Sequence, residues 1–169
     1  IGLSLVGSEM CIRDSLRYSI FPYSNASLQN IAEEYGTNLL KHFNYVGVLV
    51  IEFFVSNDGS LIANEMAPRV HNSGHWSIEG CSMSQFESHI RAITGQLSTF
   101  AKDFKPSFMM NILSKYPKPE KISQLGEHYI HSYNKEERDL RKLGHITKVA
   151  NQKVELLKDL KRYLDIIDN

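Results

Sequence analysis

Two glutamates on neighbouring predicted strands, Glu52 and Glu65, are the residues whose spacing most directly indicates chemistry. The apolar runs that contain them flank Asp58-Gly59, a dipeptide typical of a two-residue hairpin loop. Such a loop pairs the two strands so that Glu52 lies directly opposite Glu65. A three-residue turn would instead place Glu52 opposite Asn64.

An opposed pair of carboxylates requires a compensating charge or proton. Directly opposed side chains on one face of a sheet lie roughly 5 Å apart, and two carboxylates at that distance repel by about 3 kcal/mol at an effective dielectric constant near 20. Hard divalent cations prefer oxygen ligands. We therefore predict that Glu52 and Glu65 hold Mg²⁺ that carries a nucleotide phosphate, with Mn²⁺ as an alternative ion. The competing interpretation is that Glu52 is an ordinary solvent-facing strand residue.

A polar segment follows Glu65 and contains side chains suited to anions and to directional hydrogen bonds. Its candidate binding residues are Arg69, His71, Asn72 and Ser73. A zinc site built from His71, His75 and Cys81 is an alternative, but the spacing matches no common zinc motif.

The bulk composition excludes several classes of protein. The chain has 169 residues and a formal net charge of +0, so no global charge attracts it to nucleic acid or to a membrane surface. No apolar run approaches the roughly 20 residues that span a bilayer. Two cysteines do not make a disulfide framework, which favours a reducing, cytoplasmic location.

The hydrophobic pattern predicts an α+β fold. Residues 27–43 have helical periodicity after Ser27, a predicted N-cap. Residues 47–55 form a strand that is apolar on both faces except at Glu52, which is typical of a central strand, and residues 60–65 form its antiparallel partner. A capping box begins at Ser84 and predicts a helix that ends at Gly95. Its apolar side chains, predicted to face a core, are Phe86, Ile90 and Ile93.

A domain boundary is predicted near residues 98–106. Beyond it, residues 107–113, 128–133 and 144–149 are predicted strands, and Met109 and Met110 are predicted core residues. A helix starting near residue 152 presents an apolar face made of Val154, Leu157, Leu160, Leu164 and Ile167. We therefore expect a domain over residues 16–97 and a small β-rich domain with a closing helix over residues 98–169.

Residues 1–15 have no helical or strand periodicity. They lack the basic segment and the continuous apolar stretch of a signal peptide. The sequence IGLSLVGSEMCIRDS resembles the translated read-through of a sequencing adapter. We therefore expect this segment to be non-native, the alternative being an ordinary terminal strand.

Several motifs together resemble one enzyme family. They are VGVLVIEFF at residues 46–54, NEMAPRVHNSGHW at 64–76, SQFESHIRAITG at 84–95, YNK at 133–135, RKLGHI at 141–146 and LRYSI at 16–20. From residue 16 onward the chain resembles 5-(carboxyamino)imidazole ribonucleotide synthases, which belong to the ATP-grasp superfamily. The resemblance implies the carboxyl-terminal part of an ATP-grasp domain, with an antiparallel sheet and helices, followed by the small terminal domain.

The resemblance also implies a reaction of purine biosynthesis. ATP phosphorylates bicarbonate to carboxyphosphate, and the amine of aminoimidazole ribonucleotide attacks the carboxyl donor. Glu52 and Glu65 would hold the metal, and Asn64 and Glu65 would contact ATP. Arg69 would act in catalysis and bind bicarbonate, carboxyphosphate or a substrate phosphate.

Further roles follow from the same resemblance. His71, Asn72 and Ser73 would bind substrate, and Lys135 and Arg141 would bind the 5′-phosphate of the ribonucleotide. The alternative for the charges of residues 135–142 is a solvated turn. The family implies a homodimer.

The sequence lacks a glycine-rich phosphate loop, because its ten glycines are scattered. We therefore expect the chain to be a fragment that is inactive alone. The alternatives are another ATP-grasp ligase, such as the formate-dependent purine transformylase, or a non-catalytic ATP-grasp-like binding domain.

Overall fold

The computed structural model describes residues 9–12, 15–96 and 103–168, which form two units. The first unit contains the described residues of Tyr23–Phe104, and the second contains those up to Pro22 together with those from Lys105 onward. The elements in chain order are β1 (Glu9–Ile12), β2 (Ser15–Phe21), α1 (Ala26–His42), β3 (Val50–Val55), β4 (Leu61–Ala67), α2 (Ser77–Gly80), α3 (Gln85–Ile93), β5 (Ser107–Leu113), α4 (Pro119–Ile122), β6 (Tyr129–Ser132), β7 (Lys142–Val149) and α5 (Lys153–Asp168). Helices and antiparallel strands together confirm the α+β class.

The N-cap of helix α1 lies two residues before the predicted one. Asn25 Oδ1 accepts a hydrogen bond from the backbone N–H of Leu28 at 3.2 Å, and asparagine is among the best N-cap residues. The prediction of Ser27 as the cap was therefore wrong, because Asn25 supplies the same interaction earlier.

Strands β3 and β4 form a two-stranded antiparallel sheet that packs on α1 through one face. Ile51 is buried with Leu40 of the helix, and Phe53 packs against them. Because side chains alternate along a strand, Glu52 lies on the opposite face. The prediction that β3 is a central strand is not met within the described residues, where β3 pairs only with β4. Phe54 is accordingly 61 % exposed.

The connection between β3 and β4 is a three-residue loop followed by an irregularity in β4. The N–H of Gly59 donates to the carbonyl of Ser56 at 2.9 Å, and Ser56 pairs with Ser60 through a backbone hydrogen bond of 2.9 Å. Gly59 has φ +81, the left-handed conformation that glycine adopts without strain. The predicted two-residue loop, which paired residue 57 with residue 60, was therefore wrong.

A short helical segment follows β4. It consists of a 3₁₀ turn at Asn72–Gly74, then α2 and α3. Ser84 Oγ accepts from the N–H of Glu87 at 3.2 Å, which confirms Ser84 as the N-cap of α3. The predicted core-facing side chains of α3 are exposed by 38 % at Phe86, 57 % at Ile90 and 54 % at Ile93.

The second unit is a five-stranded antiparallel sheet covered by α5. The strand order is β1-β2-β5-β7-β6. The predicted strand at Ser107–Leu113 is confirmed with the same bounds. Strand β2 pairs with β5 through partners such as Tyr18 and Met110. The sequence-based division placed residues 16–22 in the first domain, whereas long-range pairing joins them to the second unit.

The core of the second unit lies between the sheet and α5. Phe108 and Tyr163 pack edge to face with ring centroids 4.9 Å apart, and both are fully buried. Met109 and Met110 are each 0 % exposed, which confirms them as core residues. Burial of one such side chain stabilises a fold by roughly 1.5–3 kcal/mol.

The apolar face predicted for α5 is partly wrong. Val154 and Leu157 are 52 % and 50 % exposed, while Leu156 and Tyr163 are fully buried. The hydroxyl of Tyr163 donates to the carbonyl of Leu125 at 2.9 Å. Because its polar group has this partner, the tyrosine can be buried among apolar side chains.

The expectation that residues 1–15 are non-native falls mostly outside the described residues. Of that segment, the backbone of Glu9–Ile12 forms β1, which pairs with β2. No helix in the described ranges has both the length and the apolar composition needed to cross a membrane.

Candidate active site

Glu52 and Glu65, here called the carboxylate pair, lie directly opposite each other on the face of the β3–β4 sheet that points away from α1. This register confirms the predicted opposition. It holds despite the three-residue loop because the register shifts by one residue between Glu52 and Phe53, which pairs with Ala63. Asn64 is therefore a β-bulge, an extra residue in β4 that restores the pairing.

The two carboxylates differ in their access to solvent. The side chain of Glu52 is 17 % exposed and that of Glu65 is 53 % exposed. A ligand can therefore approach the pair from the side of Glu65, while Glu52 forms the more enclosed side.

The imidazole of His71 contacts both members of the carboxylate pair. Its Nδ1 lies 3.3 Å from Glu52 Oε1, and its Nε2 lies 3.8 Å from Glu65 Oε1. Nδ1 also lies 2.9 Å from the hydroxyl of Ser73, which is 1 % exposed.

A second group of residues fixes the ends of the two strands. The hydroxyl of Tyr45 donates to the carbonyl of Pro68 at 2.7 Å, which ties the approach to β3 to the exit of β4. His89 Nδ1 accepts from the N–H of Val48 at 3.1 Å. Gly47 has φ +137, and a Cβ there would lie 2.9 Å from the Tyr45 hydroxyl.

The sequence does not predict these supporting roles of Tyr45 and His89, nor that of Gln85, which is described below. No local pattern identifies them, because each contact joins segments that are far apart in sequence.

The remaining predicted residues of the first unit lie close to this cluster in the chain. Arg69 is exposed, and its Nη1 donates to the carbonyl of Val70 at 2.8 Å. Asn64 is exposed at the bulge. Asn72 and Ser73 lie in the 3₁₀ turn that follows His71. The first unit thus brings Glu52, Glu65, His71 and Ser73 together.

Lys135 and Arg141 lie in the second unit, in the connection between β6 and β7. Lys135 Nζ lies 5.1 Å from the centroid of the Tyr133 ring, within cation–π range. The Tyr133 hydroxyl lies 2.8 Å from Nδ1 of His145, which is 1 % exposed. Arg141 is exposed to solvent.

The donor set of the first unit fits magnesium better than zinc. In the described part of the chain, no group of three or more His, Cys, Asp or Glu side chains has an arrangement that could hold a metal ion, and this includes His71 with the carboxylate pair. Burial raises the pKa of the Cys81 thiol to about 12, which disfavours the thiolate that zinc requires. Magnesium, in contrast, needs only one or two carboxylates when water and phosphate oxygens complete its shell.

Comparison with known proteins adds a family to this geometry. Residues 8–86 match the ATP-grasp domain family, and residues 107–159 match the phosphoribosylaminoimidazole carboxylase C-terminal domain family. The N5-carboxyaminoimidazole ribonucleotide synthase of Pseudomonas aeruginosa is 46 % identical over 125 residues, which are 73 % of this chain and 34 % of that protein.

Solved structures agree with the sequence comparison. The N5-carboxyaminoimidazole ribonucleotide synthetase of Thermus thermophilus superposes with a TM-score of 0.87 at 36 % identity, covering 95 % of this chain and 45 % of that one. The Aspergillus clavatus synthase, solved with ADP and 5-aminoimidazole ribonucleotide, gives 0.84 at 29 % identity, covering 95 % and 46 %. The chain therefore spans less than half of these relatives, and it belongs to the family of N5-carboxyaminoimidazole ribonucleotide synthases.

Proposed function

We propose that this chain supplies part of an active site that carboxylates aminoimidazole ribonucleotide with bicarbonate at the expense of ATP. The single observation that carries the proposal is the carboxylate pair, opposed across β3 and β4 with His71 between its members. In the proposed reaction bicarbonate takes the γ-phosphoryl group of ATP, giving carboxyphosphate and ADP. The exocyclic amine then takes the carboxyl group and phosphate leaves.

The carboxylate pair is proposed to hold Mg²⁺, or Mn²⁺ in its place. A bound metal ion of this kind neutralises the charge of the nucleotide phosphates during phosphoryl transfer. Opposed carboxylates suit this role because the cation removes their mutual repulsion. We propose that Asn64 contacts ATP beside Glu65. Because Asn64 lies in the bulge, either its backbone or its side-chain amide can make that contact.

The segment after β4 is proposed to bind the reacting groups. Arg69 is exposed, and a guanidinium can bind bicarbonate, carboxyphosphate or a phosphate through two parallel hydrogen bonds. We propose it as the catalytic cation. His71, Asn72 and Ser73 are proposed to bind substrate.

Lys135 and Arg141 are proposed to bind the 5′-phosphate of the ribonucleotide. Both side chains are exposed and carry positive charge. Residues 107–159, which include both side chains, match the terminal domain family, and the Aspergillus clavatus relative was solved with 5-aminoimidazole ribonucleotide.

Three further properties are proposed beyond the geometry of the site. They are bicarbonate as the carboxyl source, a homodimer in the complete enzyme and a cytoplasmic location. The relatives named above support ADP and the ribonucleotide as ligands. No nucleic acid and no membrane partner are proposed.

The experiment that tests the function measures ADP release by a complete enzyme containing this chain. We expect turnover to require bicarbonate and aminoimidazole ribonucleotide together. Turnover with formate in place of bicarbonate would assign the chain to the formate-dependent transformylases. A complete protein that fails to bind nucleotide with Mg²⁺ present would instead be a non-catalytic relative.

The 169-residue chain alone is proposed to be inactive. It spans 45 % of the Thermus thermophilus enzyme, and its sequence contains no glycine-rich phosphate loop. A turnover rate for the isolated chain equal to that of the complete enzyme would overturn this proposal.

A further inference from the structure

Gln85, the first residue of α3, forms hydrogen bonds with both the N–H and the carbonyl of His71. Its Oε1 accepts from the N–H of His71 at 3.0 Å, and its Nε2 donates to the carbonyl of the same residue at 2.7 Å. The side-chain amide thus pairs with His71 as a neighbouring strand would. Nε2 also lies 2.9 Å from Nδ1 of His75.

The surroundings of Gln85 are built around this contact. The residue is 9 % exposed, so its amide would lose hydrogen bonds at a cost if it turned away. Its own N–H donates to Ser77 Oγ at 3.0 Å, and that hydroxyl donates to the carbonyl of Gly74 at 2.7 Å. A Cβ at Gly74 would lie 2.8 Å from Gln85 Oε1, so the amide would have to shift if residue 74 carried a side chain.

The two hydrogen bonds to the main chain restrict the positions that the imidazole of His71 can adopt. A backbone held at both its N–H and its carbonyl can rotate little, and a fixed backbone conformation limits the rotamers that its side chain can adopt. Ser73 limits the ring further through its hydroxyl, 2.9 Å from Nδ1. The ring is thereby kept 3.3 Å from Glu52 and 3.8 Å from Glu65.

We propose that Gln85 is a positioning residue that holds His71 beside the carboxylate pair. The inference rests on the proposed function, in which the carboxylate pair binds the metal and His71 binds substrate. Gln85 acts through the main chain of His71, to which its side-chain amide makes two hydrogen bonds.

The test uses Mn²⁺ alone as a probe of the distance between the metal and His71. A paramagnetic ion at the carboxylate pair broadens the NMR signals of the nearby His71 ring steeply with proximity. We expect strong broadening in the 169-residue chain and several-fold weaker broadening in Gln85→Leu, whose side chain cannot hold the His71 backbone. The matched control is Gln124→Leu, which removes an amide that donates to a backbone carbonyl in the second unit.

Two further variants test the same contact in case Gln85→Leu does not fold. Gln85→Glu keeps the acceptor for the His71 N–H, but its ionised carboxylate cannot donate to the His71 carbonyl, so we expect intermediate broadening. Gly74→Ala displaces the amide without changing Gln85 and should weaken the broadening as well. If Gln85→Leu does not fold, these two variants decide the matter.

The outcomes separate this inference from the proposed function. Broadening that is absent in the unchanged chain, or that survives Glu52→Gln with Glu65→Gln, would show that the carboxylate pair is not the metal site. Broadening that requires the carboxylates but is unchanged in every folded Gln85 and Gly74 variant would overturn the positioning role alone. A purely structural role for Gln85 would lower thermal stability while leaving the broadening of His71 intact, and would also contradict the inference.

Discussion

Glu52 lies directly opposite Glu65 even though the loop between their strands has three residues. A regular ladder with that loop would place Glu52 opposite Asn64. The bulge at Asn64 adds one residue to β4 and returns Glu65 to the facing position. The opposed carboxylates are therefore produced by two local irregularities that compensate each other.

Glu65→Gln should weaken metal binding at the carboxylate pair without changing the shape of the side chain. The substitution removes one anionic ligand, and we expect the affinity for Mn²⁺ to fall by about tenfold or more, which corresponds to about 1.4 kcal/mol. Titration of the chain with Mn²⁺, followed by electron paramagnetic resonance, measures the change. Glu87→Gln on α3, which removes the ion pair with Arg91, is the matched control and should leave the affinity unchanged. Equal affinities for the two variants would contradict the assignment of Glu65.

Deletion of Asn64 should preserve the opposed carboxylates. Without the extra residue the ladder continues regularly from the pair formed by Phe53 and Ala63, and Glu65 still follows opposite Glu52. We expect Mn²⁺ affinity to remain within a few-fold of the original value.

Deletion of Ala63 together with Asn64 is the contrast for this prediction. It should bring Met66 opposite Glu52, because one residue too many is removed from β4. The Mn²⁺ affinity should then fall as far as in Glu65→Gln. A large loss with Asn64 deleted alone would show that the bulge orients the carboxylates in addition to setting their register.

The sequence predicted the carboxylate pair but not the path by which the chain forms it. Asp58-Gly59 is a strong turn signal, yet it does not determine the number of loop residues, and nothing in residues 60–65 marks a bulge. The predicted opposition was right because the loop error and the missing bulge cancel. The motif around His71 was likewise predicted as a binding segment, while its contact with both carboxylates emerged only from the fold.

The sequence predicted where the helices lie in the chain better than it predicted which of their side chains are buried. Periodicity identifies an apolar side of α3, but it does not say what covers that side. Ile90 and Ile93 are apolar and exposed in the described structure. In α5, Tyr163 is fully buried because its hydroxyl donates to the carbonyl of Leu125, a partner that periodicity cannot reveal.

Gly47→Ala should destabilise the first unit more than Gly95→Ala. Both glycines have positive φ, +137 and +71, but a Cβ at Gly47 would lie 2.9 Å from the Tyr45 hydroxyl, whereas a Cβ at Gly95 would have no atom of the described residues within 4 Å beyond its chain neighbours. Backbone strain alone costs roughly 1–2 kcal/mol in a left-handed conformation, and displacement of Tyr45 and His89 adds to it at Gly47. Urea denaturation of the two variants measures the free energies of unfolding. Equal losses would show that the Tyr45–His89 cluster adapts without cost.

Asp58 should stabilise the hairpin loop through its ionised carboxylate. Hydrogen bonds from the Ser56 hydroxyl, the Ser60 N–H and the Ser60 hydroxyl lower the pKa of Asp58 from 3.8 to about 2. A carboxyl group with a lowered pKa in the folded state binds its proton less readily there than in the unfolded chain. Its contribution to stability is therefore complete above about pH 4 and is lost as the pH falls through about 2.

Asp58→Ala isolates this contribution from that of other carboxylates. Above about pH 4 the variant should be less stable than the original chain, and the difference should shrink steadily as the pH falls toward about 2. Amide hydrogen exchange of the β3–β4 strands, measured at matched pH values, follows the local stability of the hairpin. Because Asp58 is fully exposed, added salt should also reduce the difference. A difference that stays constant from about pH 5 to about pH 2 would show that the loop is held by its backbone hydrogen bonds and by Gly59 rather than by the charge of Asp58.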